Sequence, residues 1–467
     1  MAKQFAVVGG GWAGFSAALE LARAGHRVTV YEAARTLGGR ARRVEVDGRV
    51  LDNGQHILLG AYRETLRMMR LAGVDLDAAI LKLPLQMRYP PGDAGMDFVA
   101  PRLPAPLHVG VALLRARGLA RDDKLALARF STTARWMGWQ LNNDCSVAEL
   151  LERFEQTPRL AQLMWRPLCL AALNTPLERA SAQVFLAVLR DSLGARRAAS
   201  DMLLPRTDLS ALFPEAACAW LRRNGHQVHL GAKVGALQPD TGQPEGQAPG
   251  LPAAGAARWL VQAGGAALGG SERAAFDGVV LACAPAAAAA LLQPLEAAAP
   301  LARQLEAFDY EAITTCYLQY APGTRLPTPF YALLDDPASQ RWGQFVFDRG
   351  QLDAAQDGLF AVVISAAGAA AALAQDELAA AVGRQLAADL AMPALAQAAW
   401  SRVITEKRAT FACTPALDRP DNATALDGLV LAGDYTKGDY PATLEMAVRS
   451  GQQAARLLSA PARRARA

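Results

Sequence analysis

The pattern of hydrophobic and polar positions is most regular in the first 32 residues. An apolar run at residues 5–8 predicts a short buried strand. Residues 15–22 then place apolar side chains at helical spacing, and Gly25 ends that helix. Residues 27–31 predict a second strand that ends on an acid, Glu32. The pattern therefore predicts one complete strand–helix–strand unit.

The turn between the first strand and the helix carries the spacing G-x-G-x-x-G at Gly9, Gly11 and Gly14. Gly9 permits the tight turn, Gly11 lets the backbone approach a pyrophosphate, and Gly14 lets the helix pack closely on the sheet. The helix N-terminus offers free N–H groups and a positive dipole end to phosphates. Glu32 can accept hydrogen bonds from a ribose, and an acid there disfavours a 2′-phosphate. The unit therefore predicts binding of FAD or NAD rather than NADP.

Farther along, the pattern changes at residues 83–106, which hold six prolines and predict the crossing into a second domain. Residues 107–139 are mainly helical, with basic side chains on an apolar background. Such a basic amphipathic stretch is typical of contact with an anionic bilayer, and it is equally typical of a solvated helix face. Residues 310–320 and 342–347 alternate as antiparallel strands do, and we expect them to form one wall of a substrate cavity.

Charge and composition exclude several classes of protein. Lys and Arg number 48 against 44 Asp and Glu, so the net charge of +4 predicts no nucleic-acid partner. The six cysteines are scattered without a C-x-x-C pair, which predicts neither a disulfide framework nor a metal site. The first strand begins almost at Met1 and no apolar run reaches the length of a membrane span. We therefore expect a cytoplasmic protein, with possible peripheral contact on the cytoplasmic face of the membrane.

Two short segments after the fingerprint carry a resemblance to a known family. They are Leu37-Gly38-Gly39-Arg40 and an Asp-x-Gly-x-His segment that ends at His56. Together with the fingerprint, they resemble the flavin-containing amine oxidase and phytoene desaturase superfamily. The resemblance implies an arginine near the pyrophosphate of FAD, and the residues agree, because Arg40 can neutralise diphosphate charge.

A third segment, residues 164–176, contains Trp-x-Pro-Leu-Cys-x-Ala-Ala-Leu-Asn-Thr-Pro. It resembles the squalene-associated FAD-dependent desaturases, which are the hydroxysqualene dehydroxylases of the hopanoid pathway. Residues 277–285 and 406–415 add to this resemblance, as does the closing Gly433-Asp434 with Pro-x-Thr-x-Glu-x-Ala after it. Met446 stands where the superfamily usually has glycine. From the residues alone, segment 164–176 is only an apolar helix that ends in a polar turn.

The resemblance implies an α/β fold in which a discontinuous Rossmann-type FAD-binding domain carries a second, mixed α+β substrate domain, as in amine oxidases. The predicted FAD-binding domain comprises residues 1–80, 205–290 and 409–459. The predicted substrate domain comprises residues 81–204, mainly helical, and 291–408, an antiparallel sheet with helices. A Pro/Gly-rich loop at 239–256 and a basic tail at 460–467 complete the prediction.

The predicted site follows from the motifs and from the resemblance. The residues predicted to bind the cofactor are Gly9, Gly11, Trp12, Ala13, Gly14, Glu32, Ala33, Gly39, Arg40, Gly54, Gln55, His56, Val234, Gly433, Asp434, Thr443 and Leu444. No catalytic residue is assigned. His56, Asp439 and Tyr440 are candidates for a general acid because they border the flavin-side motifs, although cofactor support or solvation explains each of them as well. Cys413 is a candidate for a covalent flavin link or, more simply, a packed thiol.

The resemblance implies reductive dehydroxylation of hydroxysqualene to squalene, with a hydride passing from N5 of the reduced flavin to an allylic carbon. The sequence carries one dinucleotide fingerprint, so electrons come from the substrate, from a separate donor or from NAD(P)H that meets the flavin directly. The implied partner is an apolar isoprenoid, and no oligomeric state is predicted. Three alternatives stay open: a phytoene-type carotenoid desaturase, a flavin amine oxidase, and a non-enzymatic lipid or prenyl escort protein of the same fold. The absence of an aromatic residue immediately before Glu445 argues against an amine substrate.

Overall fold

The structure is a computed structural model that describes residues 2–92, 94–240 and 259–460. Most of the predicted loop at 239–256, and the predicted basic tail beyond residue 460, lie outside the described residues. The strands are β1 (Gln4–Val8), β2 (Arg27–Glu32), β3 (Arg43–Val46), β4 (Arg49–Asp52), β5 (Leu58–Leu59), β6 (Ile80–Leu83), β7 (Gln86–Arg88), β8 (Asp97–Val99), β9 (Met202–Pro205), β10 (Gln227–Leu230), β11 (Lys233–Pro239), β12 (Trp259–Gly265), β13 (Gly270–Phe276), β14 (Gly278–Leu281), β15 (Tyr310–Gln319), β16 (Phe330–Ala332), β17 (Phe345–Asp348), β18 (Leu359–Ile364), β19 (Trp400–Phe411) and β20 (Leu429–Leu431). The helices are α1 (Trp12–Arg23), α2 (Arg63–Ala72), α3 (Leu76–Ala79), α4 (Leu107–Arg115), α5 (Arg121–Trp136), α6 (Val147–Arg153), α7 (Pro158–Leu160), α8 (Arg166–Leu173), α9 (Ala182–Ser192), α10 (Leu209–Leu212), α11 (Pro214–Arg223), α12 (Pro285–Leu292), α13 (Ala299–Glu306), α14 (Gln375–Asp389) and α15 (Leu444–Ser459).

A parallel sheet forms the first half of the molecule, in the order β10-β2-β1-β14-β20. Every neighbouring pair in it is parallel, and β14 and β20 are buried along their whole length. Near-continuous apolar strands of this kind are expected where helices cover both faces of a sheet. The sheet collects strands from three distant stretches of the chain. The predicted α/β fold with a discontinuous nucleotide-binding unit is therefore confirmed, while the domain boundaries stay a prediction.

Helices α1 and α15 bring the two ends of the chain together on this sheet. The Ser16 hydroxyl donates to the Val448 carbonyl over 2.9 Å. A Cβ on Gly451 would lie 2.2 Å from the Ala13 carbonyl oxygen, so only glycine permits this approach. The closing helix is thereby fixed beside the turn that follows β1.

The second half is built on an antiparallel sheet in the order β16-β17-β18-β15-β19. The two alternating stretches expected to be antiparallel strands, at 310–320 and 342–347, correspond to β15 and β17. The glycine pairs at 264–265 and 269–270, which lack the context of a nucleotide fingerprint, lie at the β12–β13 hairpin instead. Strand β13 was not predicted from the sequence, because its apolar and polar residues alternate too weakly.

Helices α4 to α9 form a mainly helical stretch between β8 and β9. The helical stretch expected at 107–139 is two helices separated by a turn at Gly118, which has φ +79° and lies against the Gly95 carbonyl. The segment at 164–176 comprises the end of a π-helical turn (Ala161–Trp165) followed by α8. Asn174 ends α8 in the left-handed conformation, with φ 49°. No helix in the described ranges combines the length and apolarity that crossing a membrane requires.

Candidate functional site

A large cavity among the described residues joins the two halves. It has a volume of about 1500 Å³ and extends from the glycine turn after β1 to helices α4 and α5. A pocket for one small molecule usually measures about 300–1,000 Å³. The cavity therefore has room for two ligands end to end, and its two ends differ in their lining.

The first end is formed by backbone at the carboxyl edge of the parallel sheet. Gly9 has φ +116°, and a Cβ there would lie 2.5 Å from the Ala282 carbonyl oxygen. A Cβ on Gly14 would lie 1.9 Å from the Gly9 carbonyl oxygen, so Gly14 sets the approach of α1 to the turn. Gly11 instead faces open space bounded by the Gly38–Gly39 backbone. The turn therefore has no room for a side chain at Gly9 or Gly14, whereas the backbone at Gly11 adjoins open space.

The N-terminus of α1 opens into the same space. Its first residue follows Gly11, and no side chain caps the helix at this point. The first turn also contains no acidic residue, so its backbone N–H groups and the positive end of the helix dipole stay available to an anion. A pyrophosphate matches this arrangement.

Glu32 is fixed at the end of β2 by two backbone bonds. The Gly10 amide donates to Oε2 over 2.6 Å and the Ala34 amide donates to Oε1 over 2.7 Å. An ionised carboxylate has about four acceptor positions, so both oxygens can still accept a ribose hydroxyl. The acid is thus held in the orientation that the fingerprint predicts.

Arg40 lies between the Gly38–Gly39 turn and the end of β20. It donates to Asp434 Oδ1 over 2.5 Å and to the Ala409 carbonyl over 2.6 Å. Burial works against the charge of Arg40, but the Asp434 carboxylate outweighs it and raises the pKa of the guanidinium above its usual value. The pair brings a cation and an anion from opposite ends of the chain to one wall of the cavity.

Tyr435 supplies an unsatisfied donor at this wall. Its side chain is 2 % exposed and lines the cavity, and its hydroxyl has no hydrogen-bond partner within the described ranges. Burial, with lesser contributions from the nearby Cys283 and Asp434, raises the pKa of Tyr435 well above its usual value, so the hydroxyl keeps its proton. Buried hydroxyls are normally paired, so this one points to a bound group. A flavin dinucleotide, with its phosphates, hydroxyls and carbonyls, fits the donors and acceptors of this end.

The structure brings nearly all of the predicted cofactor residues to the cavity. The ones that line it are Gly9, Gly11, Trp12, Ala13, Glu32, Ala33, Gly39, Arg40, Gly54, Gln55, His56, Val234, Gly433, Asp434, Thr443 and Leu444. Gly14 is not in the lining and acts through packing, as its contact with Gly9 indicates. Met446, which replaces the usual glycine, is buried and packs over Gly438.

The three candidate acids are placed differently. Asp439 is not in the lining, because its side chain is 70 % exposed and pairs with Arg190 at 3.4 Å. His56 and Tyr440 both line the cavity. The structure therefore leaves two of the three within reach of a bound substrate.

The imidazole of His56 is fixed by the chain next to it. Its Nδ1 lies 2.7 Å from the Gly54 carbonyl oxygen, which can only accept, so Nδ1 carries the proton. Burial lowers the pKa of His56, and Arg40 lowers it further. The ring is therefore neutral near pH 7, with Nε2 as an acceptor, and it suits a base or a hydrogen-bond acceptor better than an acid.

Tyr440 belongs to a partly buried group of polar side chains. Its hydroxyl donates to Asp191 Oδ2, and the Arg449 guanidinium lies 4.8 Å from the centre of its ring. Burial and the Asp191 carboxylate raise the pKa of Tyr440, so the phenol is protonated. Burial opposes the charge of Asp191, but Arg190 and Tyr440 together lower the pKa of that carboxyl. The cavity thus contains a protonated phenol oriented by an ionised acid.

Cys413 lies outside the cavity lining, among buried residues that join two segments. Burial raises the pKa of its thiol to about 12, so it stays protonated. Cys413 is therefore a packed thiol, and its position gives no support to a covalent link to a cofactor. Cys283 does line the cavity, and burial likewise raises the pKa of its thiol to about 12.

The second end of the cavity is apolar and aromatic. It is lined from α4, α5, α8 and α9 and from the antiparallel sheet, which contributes β17 and β18 as one wall. Representative side chains of this end are Met87, Phe98, Phe130, Trp165, Phe185 and Phe347. Trp165 is held between Phe130 and Phe185, at ring distances of 4.7 and 6.1 Å. Such a lining suits a long hydrocarbon.

The two segments that carry the more specific resemblance contact each other beside this end. Asn174 Nδ2 donates to Thr410 Oγ1 over 2.9 Å, and the Cys413 amide donates to Thr175 Oγ1 over 3.0 Å. The Ser181 amide donates to the Cys413 carbonyl over 2.7 Å. The polar turn at the end of segment 164–176 thus anchors α8 to β19 and shapes the wall of the cavity.

Two residues of the site, Asp191 and Tyr435, were not predicted from the sequence. The role of Glu445 was not predicted either. Asp191 gave no signal, because its partner Tyr440 is 249 residues away in the chain. Tyr435 follows the predicted Asp434 directly, and an aromatic residue in that loop was a usable signal. Glu445 is fully buried and accepts from the Thr65 amide and hydroxyl over 2.9 and 2.8 Å, so it caps α2.

Comparison with known proteins agrees with this geometry. The family described as flavin containing amine oxidoreductase matches residues 12–459. The chain is 30% identical to the hydroxysqualene dehydroxylase of Rhodopseudomonas palustris, over 99% of this chain and 100% of that one. It is 28% identical to the hydroxysqualene dehydroxylase of Sinorhizobium fredii, over 98% of each chain. An oxidoreductase from Methanosarcina mazei shares the fold, with a TM-score of 0.69 and 16% identity over 96% of this chain and 99% of that one.

Proposed function

This chain belongs to the flavin-containing amine oxidoreductase family and, within it, to the hydroxysqualene dehydroxylases, and on that premise we propose that it reduces hydroxysqualene to squalene. It is an oxidoreductase, and its cofactor is FAD. The observation that carries the substrate proposal is the continuity of the cavity. One end offers the polar donors of a dinucleotide site, and the other end is an apolar channel.

The proposed reaction replaces a hydroxyl group by hydrogen at an allylic carbon. The C–O bond breaks, a C–H bond forms, and the hydroxyl leaves as water after it takes up one proton. FAD in its reduced form supplies the hydride, and a separate electron donor or NAD(P)H supplies the two electrons that reduce it. The aromatic walls at Phe130, Trp165 and Phe347 exclude water from the developing allylic cation.

Tyr440 is our candidate for the proton donor. Its Oη is protonated at cellular pH and is oriented by Asp191, whereas His56 presents an unprotonated Nε2 to the cavity. In the structure the Oη proton lies in the bond to Asp191 Oδ2, so the proposed step requires the hydroxyl to turn from Asp191 to the leaving oxygen. The Oη proton then passes to that oxygen, and solvent restores it. Asp191 acts as a positioning residue, because its carboxylate accepts the hydrogen bond of the Tyr440 hydroxyl.

A turnover experiment tests the function. The purified holoenzyme is photoreduced without oxygen and mixed with hydroxysqualene, and squalene and the flavin spectrum are followed. We expect one squalene for each reduced flavin, with return of the oxidised spectrum. No squalene, together with reduction of the oxidised flavin by a carotenoid precursor, would overturn the proposal in favour of a desaturase.

A pair of variants tests the proton donor. Loss of a general acid lowers kcat by about 10²–10⁴-fold, so Tyr440→Phe is expected to reduce kcat in that range while FAD stays bound. Asp191→Asn is expected to lower kcat less and to shift the pH dependence of kcat. His56→Asn is the comparison. If that variant loses kcat with FAD bound while Tyr440→Phe keeps full activity, the donor is His56.

We also propose a cytoplasmic location. The six cysteines are all free, including Cys169 and Cys413, and after burial the nearby Cys413 thiol contributes to the raised pKa of Cys169. Unpaired neighbouring thiols are typical of proteins in a reducing compartment.

A further inference from the structure

We propose that the groove between α4 and α5, the mouth of the cavity, docks on an anionic lipid bilayer and receives the apolar substrate from it. The part of this inference that concerns the substrate rests on the proposed function. The docking surface itself rests on three observations: exposed apolar side chains, the helix faces that form the mouth, and the distribution of charge.

Exposed apolar side chains concentrate on these two helices. Within the described residues seven large hydrophobic side chains are exposed, and four of them are Leu107, Leu114, Leu125 and Trp136. Trp136 is 85% exposed and Leu114 is 75% exposed. Clusters of this kind mark interaction sites, whereas single exposed apolar residues need no explanation.

The same helix faces form the rim of the cavity. The cavity lining includes residues 107, 109–111, 113 and 114 on α4 and residues 124, 125, 127, 128, 130–132 and 135 on α5. Among them, buried positions such as Leu113 and Phe130 alternate with exposed positions such as Leu114 and Leu125. Leu107, Leu114 and Leu125 therefore line the cavity and are exposed to the outside at once. The apolar interior of the cavity is thus continuous with an apolar surface.

Charge on the two helices favours an anionic surface as the occupant. Residues 107–136 contain six Arg or Lys against two Asp, a net charge of +4 that equals the net charge of the whole chain. One of these acids, Asp123, is 4% exposed and accepts from the Ala120 amide and the Thr157 hydroxyl, so it faces inward. Arg115, Arg117 and Arg121 are exposed.

The combination of exposed apolar and basic side chains on α4 and α5 favours a bilayer over a protein partner. Basic side chains interspersed with Leu and Trp on one helical surface are typical of helices that lie in the membrane interface, where Trp side chains settle at the headgroup level. A bilayer is also where an isoprenoid substrate dissolves. The binding is expected to be reversible and to weaken with salt, because the attraction between Arg or Lys and anionic lipids is screened.

A vesicle experiment without substrate tests the surface. The holoenzyme is sedimented with phosphatidylcholine vesicles and with vesicles that also contain phosphatidylglycerol. We expect at least about ten-fold stronger binding to the anionic vesicles and loss of that difference at 1 M salt. Equal binding to both kinds of vesicle would overturn the proposed attraction to anionic lipids. No binding to either kind would overturn the whole proposal.

Matched variants locate the surface. Trp136→Ser and the pair Arg115→Glu with Arg121→Glu change residues outside the cavity lining, and each is expected to weaken vesicle binding several-fold. The control is Val50→Ser with Leu457→Ser, two exposed apolar residues elsewhere on the molecule, at 43% and 37% exposure. Vesicle binding that falls equally in the control contradicts the assignment of the surface to α4 and α5.

Kinetics separate this inference from the proposed function. In detergent-dispersed hydroxysqualene, the Trp136→Ser and Arg115→Glu/Arg121→Glu variants are expected to keep wild-type kcat, while in anionic vesicles their KM rises. Failure of all forms to make squalene would refute the proposed function and leave the vesicle result standing. A protein that binds a second copy of itself instead would show concentration-dependent mass in solution and no response to vesicles.

Discussion

The two ends of the cavity are built in different ways. At the dinucleotide end, glycines at fixed spacing and backbone amides determine the shape. A few charged side chains, such as Glu32 and Arg40, are held in place by short hydrogen bonds. At the apolar end, side chains from six or more separate elements converge, and no short motif defines the shape. One end is specified by local geometry and the other by long-range packing.

This difference in construction determines how well each end of the cavity tolerates substitution. Backbone geometry at a turn tolerates almost no change, because a Cβ in the wrong place displaces main chain. An apolar wall tolerates substitution as long as its volume is kept, because the hydrophobic effect has no direction. Cofactor identity is thus expected to be rigid across such proteins, and substrate choice is expected to be adjustable through the walls.

The largest effect is expected from Gly14→Ala, at the dinucleotide end. The new Cβ would lie 1.9 Å from the Gly9 carbonyl oxygen, so α1 or the turn must move, at a cost of about 3 kcal/mol or more. We expect a protein without bound FAD and with a lower Tm, measured by flavin absorbance and calorimetry. Gly368→Ala, where the structure has open space, is the control. A Gly14→Ala protein that keeps FAD would contradict the claim that the dinucleotide end tolerates less change than the apolar end.

The second prediction concerns Asp52, which lies where the two halves meet. Its Oδ1 accepts from the Leu209 amide over 2.8 Å, and its carbonyl accepts from the Tyr317 hydroxyl over 2.9 Å. Burial raises the pKa of Asp52 to about 7, although Arg349 opposes the shift. The folded state thus keeps the proton on Asp52, whereas the unfolded chain releases it near pH 4. The contribution of Asp52 to the free energy of unfolding therefore falls as pH rises from about 4 to 7.

Asp52→Asn keeps the acceptor and removes the titration. The free energy of unfolding of the variant is therefore expected to exceed that of the wild type increasingly from pH 4 to pH 7 and to level off above it. A shift of about three pKa units sets a ceiling of about 4 kcal/mol on this gain. Denaturation in urea across this pH range measures it. A difference between the two proteins that does not change with pH would show that Asp52 is ionised at the junction.

The third prediction tests the apolar end. Ala172 on α8 is half-buried and lines the cavity, so Ala172→Phe fills space without opening a void. We expect kcat/KM for hydroxysqualene to fall about thirty-fold, or about 2 kcal/mol, with FAD absorbance and Tm unchanged. Ala380→Phe, on the exposed side of α14, is the control. Loss of FAD from the Ala172 variant would show that the two ends are not separable.

The same difference decides how much the sequence alone could predict. The strand–helix–strand unit, Glu32 and the Arg40 loop are contiguous, so residue spacing was enough to place them together. The sequence also predicted the antiparallel strands β15 and β17, because alternation is a local signal. The contact of Asn174 with Thr410, which joins residues 236 apart, leaves no local trace.

The candidate catalytic side chains were the hardest to predict for the same reason. His56 and Tyr440 were accessible through neighbouring motifs, but their protonation depends on the Gly54 carbonyl and on Asp191. Asp439 satisfies the same sequence criterion as Tyr440 and yet faces solvent, because successive residues of that loop point in different directions. Loops have no fixed period, so sequence spacing cannot predict which side chain faces a cavity.

The smallest effect is expected at a single side chain of the dinucleotide end. Tyr435→Phe removes a buried hydroxyl that has no partner in the part of the chain that the structure describes, without changing the ring. If that hydroxyl bonds the cofactor, the variant loses about 0.5–1.5 kcal/mol of FAD affinity, or roughly two- to ten-fold, measured as the dissociation constant by flavin fluorescence. If FAD instead binds equally or more tightly, the hydroxyl is only a cost of burial, since removing an unpaired polar group relieves its desolvation penalty. The first outcome extends the contrast to side chains. A single polar atom at this end then has a defined partner on the ligand, whereas the hydrocarbon expected along the apolar walls offers no polar atom for the protein to pair with.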